Sequence, residues 1–213
     1  MHIPDGILSP VVWTSTAIIS TLILAKSVQY SKQNLQQRAV PVMGAMAAFI
    51  FAAQMVNFPL LGAAASGHLI GGALSAILFG FWPATLIMTT VVVIQAVLFQ
   101  DGGITALGAN ILNMAIVTPA LGAIVHYGLQ KFKLPLAISA FVAAWLSVVG
   151  VSILGAFQLA LSGVIPFATA APALIFWQML VGIGEGLITA ILIPIALRSA
   201  FYRVNQGGVA TYE

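Results

Sequence analysis

Apolar stretches long enough to cross a bilayer follow one another along almost the whole chain. A helix needs about 20 mostly apolar residues to span the hydrocarbon core. Runs near that length occupy 10–28, 41–60, 62–81, 84–100, 107–129, 135–162 and 172–197. Short polar or turn-forming breaks separate them, such as Ser31 to Gln37, Gly80-Phe81-Trp82-Pro83 and Asp101-Gly102-Gly103. Pro10, Pro41, Pro83 and Pro135 stand near the starts of their runs, where a helix does not need the missing N–H. In lipid the backbone must satisfy its own hydrogen bonds, so these runs predict helices. The expected fold is an all-α integral membrane protein with a single transmembrane domain over 1–213. It divides into an N-terminal segment 1–9, a bundle of about seven transmembrane helices over 10–197, and a tail over 198–213.

The scarcity of charge points the same way. Only seven Lys or Arg and four Asp or Glu occur in 213 residues, 5% of the chain, against about 25% in soluble domains. That excludes a soluble globular protein. With a net charge of +3 and no basic cluster, nucleic-acid binding is excluded too. The absence of Cys removes disulfides, thiolate zinc sites and iron–sulfur clusters. If seven spans alternate, Lys26, Lys32, Arg38, Lys131, Lys133, Arg198 and Arg203 all fall on one side. The positive-inside rule makes that side cytoplasmic, with the N-terminus outside and the C-terminus in the cytoplasm of a multi-pass cell-membrane protein. Met1 to Ser9 has no basic region ahead of an apolar core, so it is expected to persist rather than be cleaved as a signal peptide.

Few side chains remain for chemistry, and the first two residues stand out. The α-amine of Met1, the amide nitrogen of His2 and Nδ1 of His2 can bind one cation through adjacent five- and six-membered chelate rings. Both rings are unstrained and nearly coplanar, which leaves one in-plane position open. Square-planar nitrogen coordination suits Ni(II) or Cu(II). Pro4-Asp5-Gly6 supplies a turn that would fold the terminus back. A second histidine, His68 in Ser66-Gly67-His68-Leu69, is expected just inside the outer end of the third helix. An ionisable residue there is a functional-site candidate, or else a buried histidine bonded to a backbone carbonyl. Residues 1–9 reach roughly 25–30 Å when extended, ample to bring His2 onto His68.

Three groups of residues resemble the CbiM/NikM family, the substrate-capture (S) components of energy-coupling-factor cobalt and nickel transporters. They are Met-His-Ile-Pro-Asp-Gly at 1–6, Gln54-Met55-Val56-Asn57-Phe58-Pro59 leading to Ser66-Gly67-His68-Leu69, and Asp101-Gly102-Gly103 followed by Leu107-Gly108-Ala109-Asn110 and Asn113-Met114. The resemblance implies capture of Ni(II) or Co(II) at the outer face by Met1, His2 and His68, with no cofactor beyond the transported metal. It also implies two cytoplasmic ATPase subunits, a transmembrane coupling (T) subunit and a possible small accessory membrane subunit. The chain itself carries no Gly-x-x-x-x-Gly-Lys-Ser/Thr and is expected not to be an enzyme. The first helix is then an addition that anchors the terminus, since S components otherwise have six.

Weaker candidates complete the list. Asp101, Asn110 and Asn113 are expected to hold loops over the site, and Glu185 to lie at mid-membrane, deeper than His68, in a structural or coupling role. His126 is expected at the far interface without a special role. Gly44, Ala48 and Ala52 form a small-residue ladder suited to internal packing or to a partner helix. The competing functions are an ion-coupled secondary transporter, which would want paired intramembrane acids, and an intramembrane hydrolase built on His68 and Glu185.

Overall fold

The structure is a computed structural model and describes residues 1–62 and 64–198. Its elements are α1 (Pro10–Asn34), α2 (Ala39–Gln54), the strands β1 (Phe58–Leu60) and β2 (Ala65–Gly67), α3 (Gly72–Phe79), α4 (Phe81–Leu98), α5 (Leu107–Gln130), α6 (Leu136–Leu161) and α7 (Phe167–Arg198). Five of these helices (α1, α4, α5, α6 and α7) are long and apolar enough to cross a membrane. The fold is an all-α membrane bundle, as the runs predicted. Large apolar side chains cover its outside, among them Val11, Leu22, Leu98, Ile124, Leu187 and Ile191. Water would not tolerate such a surface, whereas lipid does.

The second and third runs fold differently from expectation. Helix α2 stops at Gln54 rather than near 60, and the third run is not one spanning helix. The end of the second run and the start of the third form a short antiparallel hairpin, pairing Phe58 with Gly67, Pro59 with Ser66 and Leu60 with Ala65. An extended stretch carrying His68 follows, and only Gly72–Phe79 is helical. Pro59 inside the second run and the glycines at 62, 67, 71 and 72 explain the break. Hydropathy reports burial here rather than helix. Helix α7 begins at Phe167, five residues earlier than the run, and continues through Pro172 and Pro194.

Helix α5 contains a π-helical stretch, Ile111–Val117, between ordinary turns. Pro119 has no N–H to return to the preceding turn. The Thr118 hydroxyl instead donates to the Met114 carbonyl at 2.7 Å. The wider turn sets the register of Asn110, Asn113 and Met114, all fully buried. Helix α1 lies against this region through small residues. A Cβ at Gly108 would fall 2.4 Å from the Ala17 backbone, and the Ser20 hydroxyl donates to the Gly108 carbonyl at 2.7 Å.

The basic residues Lys32, Arg38, Lys131, Lys133 and Arg198 stand at or beside the helix ends opposite the hairpin, and Lys26 lies about two turns inside that end of α1, over the Trp82 ring. Arg203 and the rest of the tail beyond 198 lie outside the described residues. Gly44, Ala48 and Ala52 are exposed, so the ladder serves no packing within this chain.

Candidate metal centre

Residues 1–3 make no helical hydrogen bonds, yet they are buried, and groups from distant elements satisfy their backbone. Asn110 accepts from the Ile3 amide at 2.8 Å and donates to the Ile3 carbonyl at 3.0 Å. The Gly103 amide also donates to that carbonyl, at 2.9 Å. The His2 amide donates to the Ser66 hydroxyl at 2.9 Å, and the Ser66 amide returns a bond to the His2 carbonyl at 3.1 Å. Asp5 accepts from the Ile104 and Thr105 amides and from the Thr105 hydroxyl, at 2.6–3.0 Å. These donors, the Thr105 hydroxyl first, hold its carboxyl below the usual range. A Cβ at Gly103 would fall 2.4 Å from the Asp5 amide nitrogen, so glycine is what lets the two backbones touch.

This seating brings together the residues that sequence reasoning selected. The Met1 amine touches Nε2 of His68, with the Met114 sulfur 3.5 Å away. The His2 and His68 rings stack with centroids 4.8 Å apart and 29° between planes. His68 pairs its Nδ1 with the Leu69 carbonyl at 2.6 Å. A carbonyl only accepts, so Nδ1 carries the proton and Nε2 presents its lone pair to the Met1 amine. His2 is 2% exposed, and neither ring nitrogen has a hydrogen-bond partner among the described residues. Burial pushes its pKa down to about 4, the nearby Gln95 amide opposing part of that shift. The imidazole is therefore neutral at pH 7, the form that ligates metal. No group of three or more His, Asp and Glu side chains gathers among the described residues. The candidate donors that sequence reasoning selected are instead two main-chain nitrogens and two imidazoles.

Other candidates fall into place around this centre. Asn110 holds the terminal segment, as expected. Asn113 instead forms a reciprocal amide pair with Gln158, both bonds 2.8 Å. Asp101 accepts from the Asn57 amide at 2.8 Å and lies 3.9 Å from Nε2 of His2. Glu185 meets the backbone just beyond His68. Its carboxylate accepts from the amides of Ile70 and Gly71 at 2.7 and 2.8 Å, two and three residues beyond His68. Gln54 donates to the Ile70 carbonyl at 2.6 Å, so both faces of that peptide are clamped. Because the third run is extended here, the His68 loop descends to meet α7. Gln54 entered the sequence reading only within the family motif and Gln158 not at all, although amides in so apolar a chain were the available signal. His126, one turn from the end of α5, is buried, with Nδ1 3.2 Å from the Ser139 hydroxyl.

The family model described as CbiM, cobalt uptake substrate-specific transmembrane region, matches residues 2–200. A protein named as a fused nickel transport protein, NikMN, of Archaeoglobus fulgidus is 38% identical over 192 residues, which are 89% of this chain and 63% of the relative. This chain thus spans somewhat under two thirds of that fused protein. A protein of Methanocaldococcus jannaschii named as a cobalt transport protein, CbiM, is 31% identical over 204 residues, 90% of this chain and 85% of the relative. The crystal structure of a truncated transition-metal transporter superposes with a TM-score of 0.88 at 30% identity, covering 92% of this chain and 98% of that one. The shared bundle, and a family match that runs from His2 past the end of α7, place the chain in one lineage: it belongs to the CbiM family of cobalt-uptake substrate-specific transmembrane regions.

Proposed function

We propose that this chain is the substrate-specific membrane component of an energy-coupling-factor ABC importer, capturing Ni(II) or Co(II) at the outer face of the cell membrane. The Met1 amine, the His2 amide nitrogen, the His2 imidazole and Nε2 of His68 are its ligands. The metal is cargo, and two cytoplasmic ATPase subunits with a transmembrane coupling subunit drive its release inward, an accessory membrane subunit assisting. The N-terminus outside and the C-terminus in the cytoplasm follow from the basic residues at the opposite end of the bundle. The observation that carries the reading is the contact of the Met1 amine with His68, beneath a His2 ring that is buried without hydrogen-bond partners. Such orphaned polar atoms are expensive to bury unless something pairs with them. Here a divalent cation does so, and its positive charge displaces the His2 amide proton.

Calorimetry with Ni(II) and Co(II) on purified protein tests the ligand set. One residue inserted ahead of Met1 removes the amine from its five-membered ring, and His68→Ala removes the fourth nitrogen. Each is expected to lower affinity at least about a hundredfold, while a tag after Glu213 leaves it unchanged. Equal affinity in the N-terminally extended protein refutes the amine ligand. Uptake in cells without the ATPase subunits would favour a secondary transporter instead, but the one intramembrane carboxylate among the described residues, Glu185, is engaged by two backbone amides.

A further inference from the structure

A cavity of about 230 Å³ lies against the His2 ring, lined among others by Asn57, Ser66, Gln100 and Asp101. Its size matters. Six waters occupy about 180 Å³ at the roughly 30 Å³ each takes in the liquid. The space is therefore large enough for a divalent cation with its hydration shell, which the nitrogen centre, where the Met1 amine already touches His68, is not. At one wall the unpartnered nitrogens of His2 are buried. At another, the Asp101 side chain is 17% exposed and lies 3.9 Å from Nε2 of His2. Asp101 thus borders both solvent and centre. Its carboxylate accepts one hydrogen bond among the described residues, from Asn57, whereas that of Asp5 at the same end is committed to three donors. The six described basic residues stand at the opposite end of the bundle, so no nearby cation neutralises Asp101.

We infer that this cavity is a docking site for the hydrated divalent cation, with Asp101 as its charged contact and the Asn57 and Gln100 amides and Ser66 hydroxyl as partners for its waters. The ion loses water there stepwise, as the nitrogens beyond His2 replace it. The inference rests on the proposed ligand set and adds an entry step to it. It has a kinetic signature. A single carboxylate about 6 Å from a dication raises its local concentration several-fold in dilute salt. The Debye length shrinks from about 10 Å at 0.1 M to about 3 Å at 1 M, and the gain should vanish with it.

Stopped-flow mixing of Co(II), followed by its visible absorption, separates association from dissociation in the full chain with its native N-terminus. Asp101→Asn is expected to slow association about fivefold in 20 mM salt and less than twofold in 1 M salt, with dissociation changed less than twofold. Gln100→Glu, which adds a carboxylate to the same cavity and removes no bond to the N-terminal segment, is expected to speed association in low salt. Unchanged association in Gln100→Glu overturns the docking site, even if Asp101→Asn does not yield folded protein. A change confined to dissociation in Asp101→Asn also overturns it, because Asp101 then only orients His2. Failure of the unsubstituted protein to bind Co(II) would instead refute the proposed ligand set, so the two failures are distinguishable.

Discussion

Residues 1–6 and helix α1 adjoin in the chain and are buried in opposite ways. The terminal segment is irregular, yet Met1 is 1% and His2 2% exposed, and its peptide groups are held by Asn110, Ser66 and Gly103. Helix α1 is regular for 25 residues but mostly exposed, burying Val12, Thr16, Ser20 and Ser27 along one narrow stripe. A helix satisfies its own backbone and can therefore face lipid; an extended segment cannot, and must be enclosed by protein. Here the regular helix α1 forms wrapping, and the irregular terminal residues are enclosed. The two regions should accordingly fail in different ways.

The largest effect is expected from Gly103→Ala. Its Cβ would collide with the backbone of Asp5 and with Pro4, groups that do not rotate away. Displacing residues 4 and 5 pulls Met1 and His2 from their seat, and a loss of about 3 kcal/mol lowers metal affinity about a hundredfold. Calorimetry reads this directly, while the bundle's unfolding temperature should move little. An unchanged affinity would mean the segment is not seated on the 101–105 loop.

Acid should act next most strongly, and only on the terminal segment. The His2 imidazole has a pKa of about 4 when docked and about 6.5 when free. The free segment therefore binds the proton more readily, and docking strengthens as pH rises between those values. The docking contribution is complete above about 6.5 and declines as pH falls toward 4, by up to about 3 kcal/mol. Imidazole NMR titration of the metal-free protein should show His2 titrating near 4; a value near 6.5 would show the ring in water.

Gly108→Ala probes the wrapping instead. The new methyl group meets the Ala17 backbone, so α1 must move away from α5, at about 1–3 kcal/mol. The expected reading is a fall of several degrees in unfolding temperature with less than tenfold change in metal affinity. The smallest effect belongs to Leu22→Ala. Leu22 is 66% exposed on α1, and trimming a lipid-facing side chain leaves no cavity. Both readouts should change within error. A large loss there would place α1 against protein rather than lipid.

Much of the centre was legible because its chemistry is encoded by position in the chain. A free amine followed by His2 forms a chelate whatever the fold does, and His68 belongs to the motif that matches the family. The surroundings of His68 were not legible. The stretch from Asn57 to Gly71 was divided between the end of one apolar run and the start of the next, and that division hid the hairpin. Its glycines and Pro59 were visible but carry no information about which partner would serve an extended backbone. Glu185 illustrates the gap: at mid-helix its depth seemed to separate it from His68, and only the descent of the loop brings it to the amides of Ile70 and Gly71.

The sequence by itself determined that this protein lives in a membrane, because 11 charged residues cannot cover a surface of this size in water. It also determined the nitrogen-rich character of the terminus, because a chelate between adjacent residues needs no long-range contact. Tertiary structure decided where the regular helices stop and what the irregular segments rest on. Each buried peptide group outside a helix needs a partner from elsewhere in the chain. Asn110 for Ile3, Ser66 for His2, and Glu185 with Gln54 for Ile70 are pairings between residues 16 to 115 positions apart. They arise only when the helices are already packed, because it is the packing that removes the water these groups would otherwise bind.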